Sequence, residues 1–247
     1  MHIPDGILSG TVTAAGFAAA GTVLALTSRK GGELWKEVPK ISVVTAMLFV
    51  ASLIHIPMGF TSVHFSFLGL AGILLGRRAF LAVTVAVLFQ AILFRHGGLA
   101  SLGVNIFNLG IAALVGYYVF STGLLLPARF AGKALELLAV TAGMGAAVSK
   151  VLLGALILVW GGLPWQGAIT IFLVHLPIIL GEGLACGLVV AALVRFNKGV
   201  LAGSGKGQSS NSLSLGSLSG LSVRAAARLG PPHGDYGTCA GRTPGAL

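Results

Sequence analysis

The chain has 247 residues, of which 55% are hydrophobic and only 9% charged, with a net charge of +10. Its mean hydropathy is +0.95. Soluble domains carry about 25% charged residues, so composition excludes a water-soluble fold. The basic residues lie between apolar runs and do not form one patch interleaved with aromatics, which argues against nucleic acid as a partner.

Uncharged or nearly uncharged runs of 18 or more apolar residues read as membrane spans. They cover residues 6–28, 41–76, 97–128 and 151–181, and two are too long for one helix. The expected fold class is therefore all-α, a polytopic membrane bundle of about seven transmembrane helices. The spans fall near residues 8–28, 41–58, 62–76, 78–94, 103–126, 135–160 and 166–195. The third is short for a crossing. Charge supports it as one: if all seven cross, Arg29, Lys30, Lys36, Lys40, Arg77, Arg78, Arg129, Lys133, Arg195 and Lys198 share one side, and only Arg95 faces the other. That asymmetry places the N-terminus outside and the C-terminus inside.

The N-terminus lacks the basic region of a secretory signal, since the first Lys or Arg is Arg29. Met1 is expected to be retained, because His2 is bulky. Residues 1–198 form the membrane domain in this reading. Residues 199–247, rich in Gly and Ser and then basic, read as a disordered cytoplasmic tail. Cys186 and Cys239 give neither a disulfide framework nor metal-ligand spacing.

Chemistry concentrates at the first two residues. The α-amine of Met1, the His2 amide and the His2 imidazole can close two fused chelate rings around one metal. A fourth in-plane position is left for another ligand. Square-planar nitrogen coordination suits Ni(II) or Cu(II) and can be adapted for cobalt. Pro4 restrains the chain just beyond, and Asp5 caps the first helix or orients a ligand.

The expected topology crowds five of the six histidines, His2, His55, His64, His96 and His175, into the outer half, leaving His233 in the tail. Single histidines often cap helices or bond to backbone; five on one side are harder to explain that way. His64 is the first choice for the fourth ligand, with the hydroxyls of Thr61 and Ser62 expected to hold its helix start. His55 is the second choice, or a partner behind the ligands, and His175 the fallback. Asn105 and Asn108 lie on adjacent turns near the outer end of the fifth span, where buried amides need partners. They bond to backbone or hold a loop around the site. Glu182 lies seven residues, two helical turns, after His175. It is an acid near mid-membrane, with Lys150 a candidate partner for structural pairing or for shaping the site.

These residues resemble the CbiM/NikM family, the substrate-binding (S) components of energy-coupling factor (ECF) transporters for cobalt and nickel. The resemblance rests on Met1-His2-Ile3-Pro4-Asp5-Gly6, on Thr61-Ser62-Val63-His64, on Gly103-Val104-Asn105-Ile106-Phe107-Asn108, and on His175 through Gly183. It covers about residues 1–195. It implies that the metal is held by the Met1 amine, the His2 amide and imidazole, and the His64 imidazole. It also implies partners: a transmembrane coupling (T) component, cytoplasmic ATPase subunits and a small accessory membrane protein. The loop Pro57-Met58-Gly59-Phe60-Thr61 is less glycine-rich than the family form, and the tail matches nothing in it.

The function expected is capture and import of Co2+ or Ni2+ as a transported substrate across a bacterial or archaeal cell membrane, with no catalytic cofactor. No nucleophile triad, phosphate-binding loop or H-E-x-x-H motif is present, so ATP hydrolysis is assigned to a separate chain. An ECF-like subunit for an organic vitamin would need an aromatic or polar pocket instead of Met1-His2. An intramembrane metalloenzyme would need an acid beside the metal, and a structural membrane-assembly protein leaves the histidines unexplained. On the first span, Ala15, Gly16, Ala19 and Ala20 permit close helix approach, to a partner or within the bundle.

Overall fold

Seven α-helices and one short hairpin make up the described part of a computed structural model, which covers residues 2–28, 34–58, 61–123 and 131–196. The helices are α1 (Gly10–Ser28), α2 (Leu34–Leu53), α3 (Leu68–Leu75), α4 (Ala79–Phe94), α5 (Leu102–Gly123), α6 (Ala131–Trp160) and α7 (Trp165–Phe196). The hairpin pairs β1 (His55–Met58) with β2 (Thr61–His64). The proposed tail from residue 199 onward, with His233 and Cys239, lies outside the described residues.

The bundle is built for lipid. On α7, Leu173, Leu176, Leu180, Leu184 and Leu188 recur every three to four residues, and all are exposed. The same helix buries His175, Ile179, Glu182, Cys186 and Val190. Polar groups inside and leucine outside is the arrangement a bilayer demands. Pro177 sits within α7 without ending it. Five helical segments are long and apolar enough to cross: residues 10–28, 68–94, 102–122, 134–160 and 165–196. The 20-residue α2 is nearly as apolar but carries Lys36, Glu37 and Lys40 at its start.

The structure corrects the second and third spans. Helix α2 begins earlier than expected and stops at Leu53; residues 55–58 and 61–64 form the two strands of the hairpin. The third span keeps only the eight helical residues of α3. At 1.5 Å per residue these reach about 12 Å, against a hydrocarbon core of about 30 Å. Pro57 and the run Thr61-Ser62-Val63 favour extended chain, which the hydropathy of the segment conceals. Thr61 and Ser62 therefore lie in a strand and not at a helix start, which falls at Leu68 after Phe67 in a left-handed conformation (φ 49°). Gly76, at φ 61°, ends α3 and opens a 3-10 turn through Arg78 into α4. Non-helical backbone at this depth is tolerable because it is enclosed by protein. Here Val63 and His64, at the end of β2, are buried.

Packing settles part of the small-residue reading on α1. A Cβ on Gly16 would fall 2.3 Å from Val104 Cγ2, so this face is closed by α5 inside the bundle. At the end of α2 and α4 away from the hairpin, Arg78 Nη1 pairs with Glu37 Oε2 at 2.6 Å.

Candidate metal centre

The N-terminal segment is folded back into the bundle and fastened at Ile3. Its side chain is 1% exposed and packs with Val104, Val151, Leu158 and Ile171. Burying such a side chain contributes about 1.5–3 kcal/mol. Its backbone is gripped from α5: Ile3 N donates to Asn105 Oδ1 at 2.8 Å, and Asn105 Nδ2 donates to Ile3 O at 2.9 Å. The Asn105 amide thus imitates a β-ladder partner, and Ser101 Oγ adds a bond to Ile3 O at 2.7 Å.

Asp5 extends this fastening, although not as expected. It does not cap α1, which begins at Gly10. Its carboxylate instead accepts from Leu99 N at 2.9 Å and Ser101 N at 2.8 Å, and from Ser101 Oγ. It therefore satisfies amides just before α5. Slight burial pushes the Asp5 carboxyl up, but these hydrogen bonds outweigh it and hold the group below its usual value.

With Ile3 fixed, His2 has little freedom. It is 4% exposed and faces His64, which is 3% exposed. His2 Nδ1 and His64 Nε2 lie 3.3 Å apart, and the rings stack at 5.2 Å with 23° between planes. His64 Nδ1 donates to Phe65 O at 2.9 Å, which sets the tautomer and leaves Nε2 to face His2. Metal–imidazole bonds are about 2.0–2.1 Å, so two nitrogens 3.3 Å apart can share one ion. Burial is the largest cause holding both imidazoles well below their ordinary pKa, with Lys150 among the nearby positive charges that add to it. Both rings are therefore neutral at pH 7, the state that ligates.

The two rings line a cavity of about 20 Å³ together with Ser52, Ser66 and Gln90. That is room for an ion or one water, whereas organic ligands need about 300 Å³ or more. Gln90 approaches His2 closely enough to oppose part of its shift. Yet neither Gln90 Oε1 nor His2 Nε2 completes a hydrogen bond among the described residues. A metal on Nδ1 would leave Nε2–H needing an acceptor, and Gln90 Oε1 is the group at hand.

His96 completes the cluster. One ligand atom from each of His2, His64 and His96 lies within 4.8 Å of the others, and no carboxylate joins them among the described residues. Directly beneath, Ser66 N and Oγ donate to Glu182 Oε1 at 2.7 and 2.6 Å. Lys150 Nζ donates to Ser66 Oγ at 2.7 Å and lies 3.3 Å from Glu182 Oε1. The Lys150–Glu182 pair exists and clasps the residue two places after His64.

Of the residues singled out from sequence, His2, His64, Asn105 and Asp5 are brought together. Met1 lies outside the described residues. The His55 backbone pairs opposite His64, but its side chain lies outside what is described. His175 is buried and donates from Nδ1 to Ile171 O at 2.7 Å, apart from the three-histidine cluster. Asn108 is fully buried, and its amide makes no hydrogen bond among the described residues, contrary to expectation. Gln90, Ser66 and Ser101 were not singled out from sequence. Only a polar residue inside an apolar run marks Gln90 and Ser66, and Ser101 carries no such signal.

A multi-pass helical membrane protein with a nitrogen-lined, ion-sized cavity under a folded-in N-terminus defines a class of metal-handling membrane proteins. The chain belongs to the CbiM family: residues 2–200 match the family described as "Cobalt uptake substrate-specific transmembrane region". It is thus a transmembrane component of a transition-metal uptake system, in the cell membrane. A provisionally named metal transport protein of Haemophilus influenzae is 32% identical over 188 residues, covering 74% of this chain and 88% of that one. A fused nickel transport protein, NikMN, of Rhodobacter capsulatus is 35% identical over 131 residues, 50% of this chain and 37% of the longer relative. A crystal structure of a transition metal transporter superposes with a TM-score of 0.69 at 29% identity, covering 79% of this chain and 93% of that one.

Proposed function

We propose that this chain is the substrate-capturing S component of an ECF-type transporter that imports Co2+ or Ni2+. The observation that carries the reading is the 3.3 Å approach of His2 Nδ1 to His64 Nε2 beside an ion-sized cavity. The ligand set is the Met1 amine, the His2 amide nitrogen, the His2 imidazole and the His64 imidazole. Metal arrives from outside and displaces the protons of the amine and the amide, while the imidazoles are already neutral. Ile3, Asn105, Ser101 and Asp5 hold the N-terminal segment in register. The family description names cobalt and a relative is named for nickel, and a nitrogen plane accepts either ion. A T component and cytoplasmic ATPases supply the energy for release, and hydrolysis belongs to those chains. The small cavity and the Lys150 and Ser66 contacts of Glu182 favour this reading over a vitamin carrier or a metalloenzyme.

The test is one extra residue before Met1, confirmed to persist. Uptake of radiolabelled cobalt and nickel in cells carrying the partner subunits should be lost. Normal uptake would sink the chelate. Truncation after Lys198 should leave uptake and affinity unchanged, because no ligand is assigned to residues 199–247.

A further inference from the structure

We propose that a second cavity, outside the histidine cluster, binds a phospholipid with a phosphate–amine headgroup, and that this lipid braces the N-terminal segment. The cavity measures about 440 Å³, within the range of about 300–1,000 Å³ typical of ligand pockets. Pro4 and Asp5 form one wall, Ala91 and Ile92 of α4 another, and Arg95 and Leu99 the loop beyond α4. No histidine lines it. The lining is apolar except for two opposite charges. The Asp5 carboxylate is fixed by its bonds from Leu99 N and Ser101 N. Arg95 is exposed, and among the described residues it makes no ion pair. Its backbone points to a use for its side chain. Arg95 ends α4 with φ at 51°, a left-handed position where glycine is the common choice because a Cβ is penalised there. The next two positive-φ positions, at 89° and 79°, are filled by Gly97 and Gly98. Arginine at the first of the three gives up backbone stability and supplies a cation that glycine cannot.

The level of the cavity selects a lipid over a soluble ligand. Ile92, Leu93 and Phe94 are all exposed, so α4 meets lipid up to the residue before Arg95. Trp160 and Trp165, at the ends of α6 and α7 that face each other across their turn, are exposed too. That turn lies against the N-terminal segment, since a Cβ on Gly161 would fall 2.9 Å from Leu8 Cδ2. Exposed tryptophans at the ends of spans mark the headgroup level. The cavity therefore lies where acyl chains give way to headgroups. A phosphate pairs with the Arg95 guanidinium, which can hold it by two hydrogen bonds. The ammonium, two carbons beyond the phosphate ester, pairs with Asp5, and the acyl chains lie along Ile92. A primary amine donates hydrogen bonds to the carboxylate, whereas a quaternary one cannot. Bound there, the lipid joins the segment that carries His2 to the loop that carries Gly97, where a Cβ would fall 3.1 Å from His2 Cβ. Lipid and metal then favour the same arrangement of the segment, and such coupling is reciprocal. This effect on affinity rests on the reading that His2 holds the metal.

The experiment uses the purified full chain as wild type, Arg95→Gln and Arg95→Gly, in nanodiscs of phosphatidylcholine with and without phosphatidylethanolamine. Lipid retained through delipidation is read by native mass spectrometry. Wild type should keep phosphatidylethanolamine in preference to phosphatidylcholine. Both variants should keep it about tenfold less well, the scale of one lost charge-assisted hydrogen bond. Arg95→Gly relieves the left-handed backbone, so it should melt no lower than wild type in detergent, which separates lost binding from lost folding. Wild type should bind Co(II) about fivefold or more tighter when phosphatidylethanolamine is present, and the variants should be indifferent to it. Equal retention of the two lipids, or full retention by the variants, overturns the lipid site. Displacement of the lipid by soluble glycerophosphoethanolamine makes the cavity a soluble-ligand site and overturns it as well. Retention with no change in wild-type Co(II) affinity overturns the brace. A wild type that binds no Co(II) in either disc overturns the capture reading, and lipid retention still decides the site.

Discussion

Two buried polar clusters sit one above the other in this bundle, and they are built oppositely. The lower one, Ser66, Glu182 and Lys150, contains one carboxylate and one ammonium, and Glu182 Oε1 is shared between Ser66 and Lys150 while Oε2 has no partner among the described residues. The upper one, His2, His64 and His96, contains no carboxylate among the described residues, and burial keeps His2 and His64 neutral. Its imidazoles point nitrogens at one another, and His2 Nε2 has no hydrogen-bond partner among the described residues. A charge-balanced cluster inside a membrane bundle holds elements together. Imidazole nitrogens gathered around a small cavity can instead converge on one cation. The contrast assigns the lower cluster to support and the upper one to capture, with Ser66 as the link through the chain to His64.

Lys150→Met is the hardest test of that division. It leaves the Glu182 carboxylate buried without its cation, which costs about 3–5 kcal/mol. Thermal unfolding in detergent should show the loss, and Lys150→Met with Glu182→Gln should recover most of it. Removing the pair while metal affinity collapses and thermal stability holds would move the lower cluster into the capture site.

His64→Ala should do the reverse. Metal affinity should fall by more than about a hundredfold, beyond the 10–100-fold typical of groups behind the ligands. The metal-free protein should stay nearly as stable as wild type. Isothermal titration and a melting curve on the same sample decide it; unchanged affinity would return His55 or His175 as the ligand. Asn105→Ala should fall between, lowering affinity by about 10–100-fold by releasing Ile3. An affinity equal to wild type would mean the N-terminus is held by the Ile3 side chain alone.

The helical bundle was legible because lipid imposes a long apolar run on each helix, and α1, α4, α5, α6 and α7 all carry one. The hairpin was not. Its residues lie inside a longer apolar run, residues 41–76, that reads as membrane helix throughout, and its strand pairing is a tertiary outcome. His2 and His64 could be found because histidine is rare in an apolar chain and its chemistry narrow. The partners of Asn105 and Asp5 could not. Each lies about a hundred residues from the backbone it binds, at Ile3 and at Leu99 to Ser101. No local spacing encodes such a contact. The split between Asn105, gripped, and Asn108, unpartnered one turn later, is likewise a tertiary outcome.

The smallest effect expected is on pH. His2 and His64 are held well below their ordinary pKa by burial, so the folded protein keeps both neutral while the unfolded chain takes up protons below about pH 6.5. Where the unfolded state binds more protons, stability rises with pH. The metal-free protein should therefore lose stability as pH falls from 7 to 6, on the order of 1 kcal/mol for the two rings together. The ion pair below has no histidine and should contribute little over that window. Melting curves of wild type and of a His2→Ala, His64→Ala double variant at both pH values separate the clusters. The variant should be the less pH-sensitive of the two. An identical slope in both proteins would mean that the titration belongs elsewhere and that the two rings are not held neutral by the bundle.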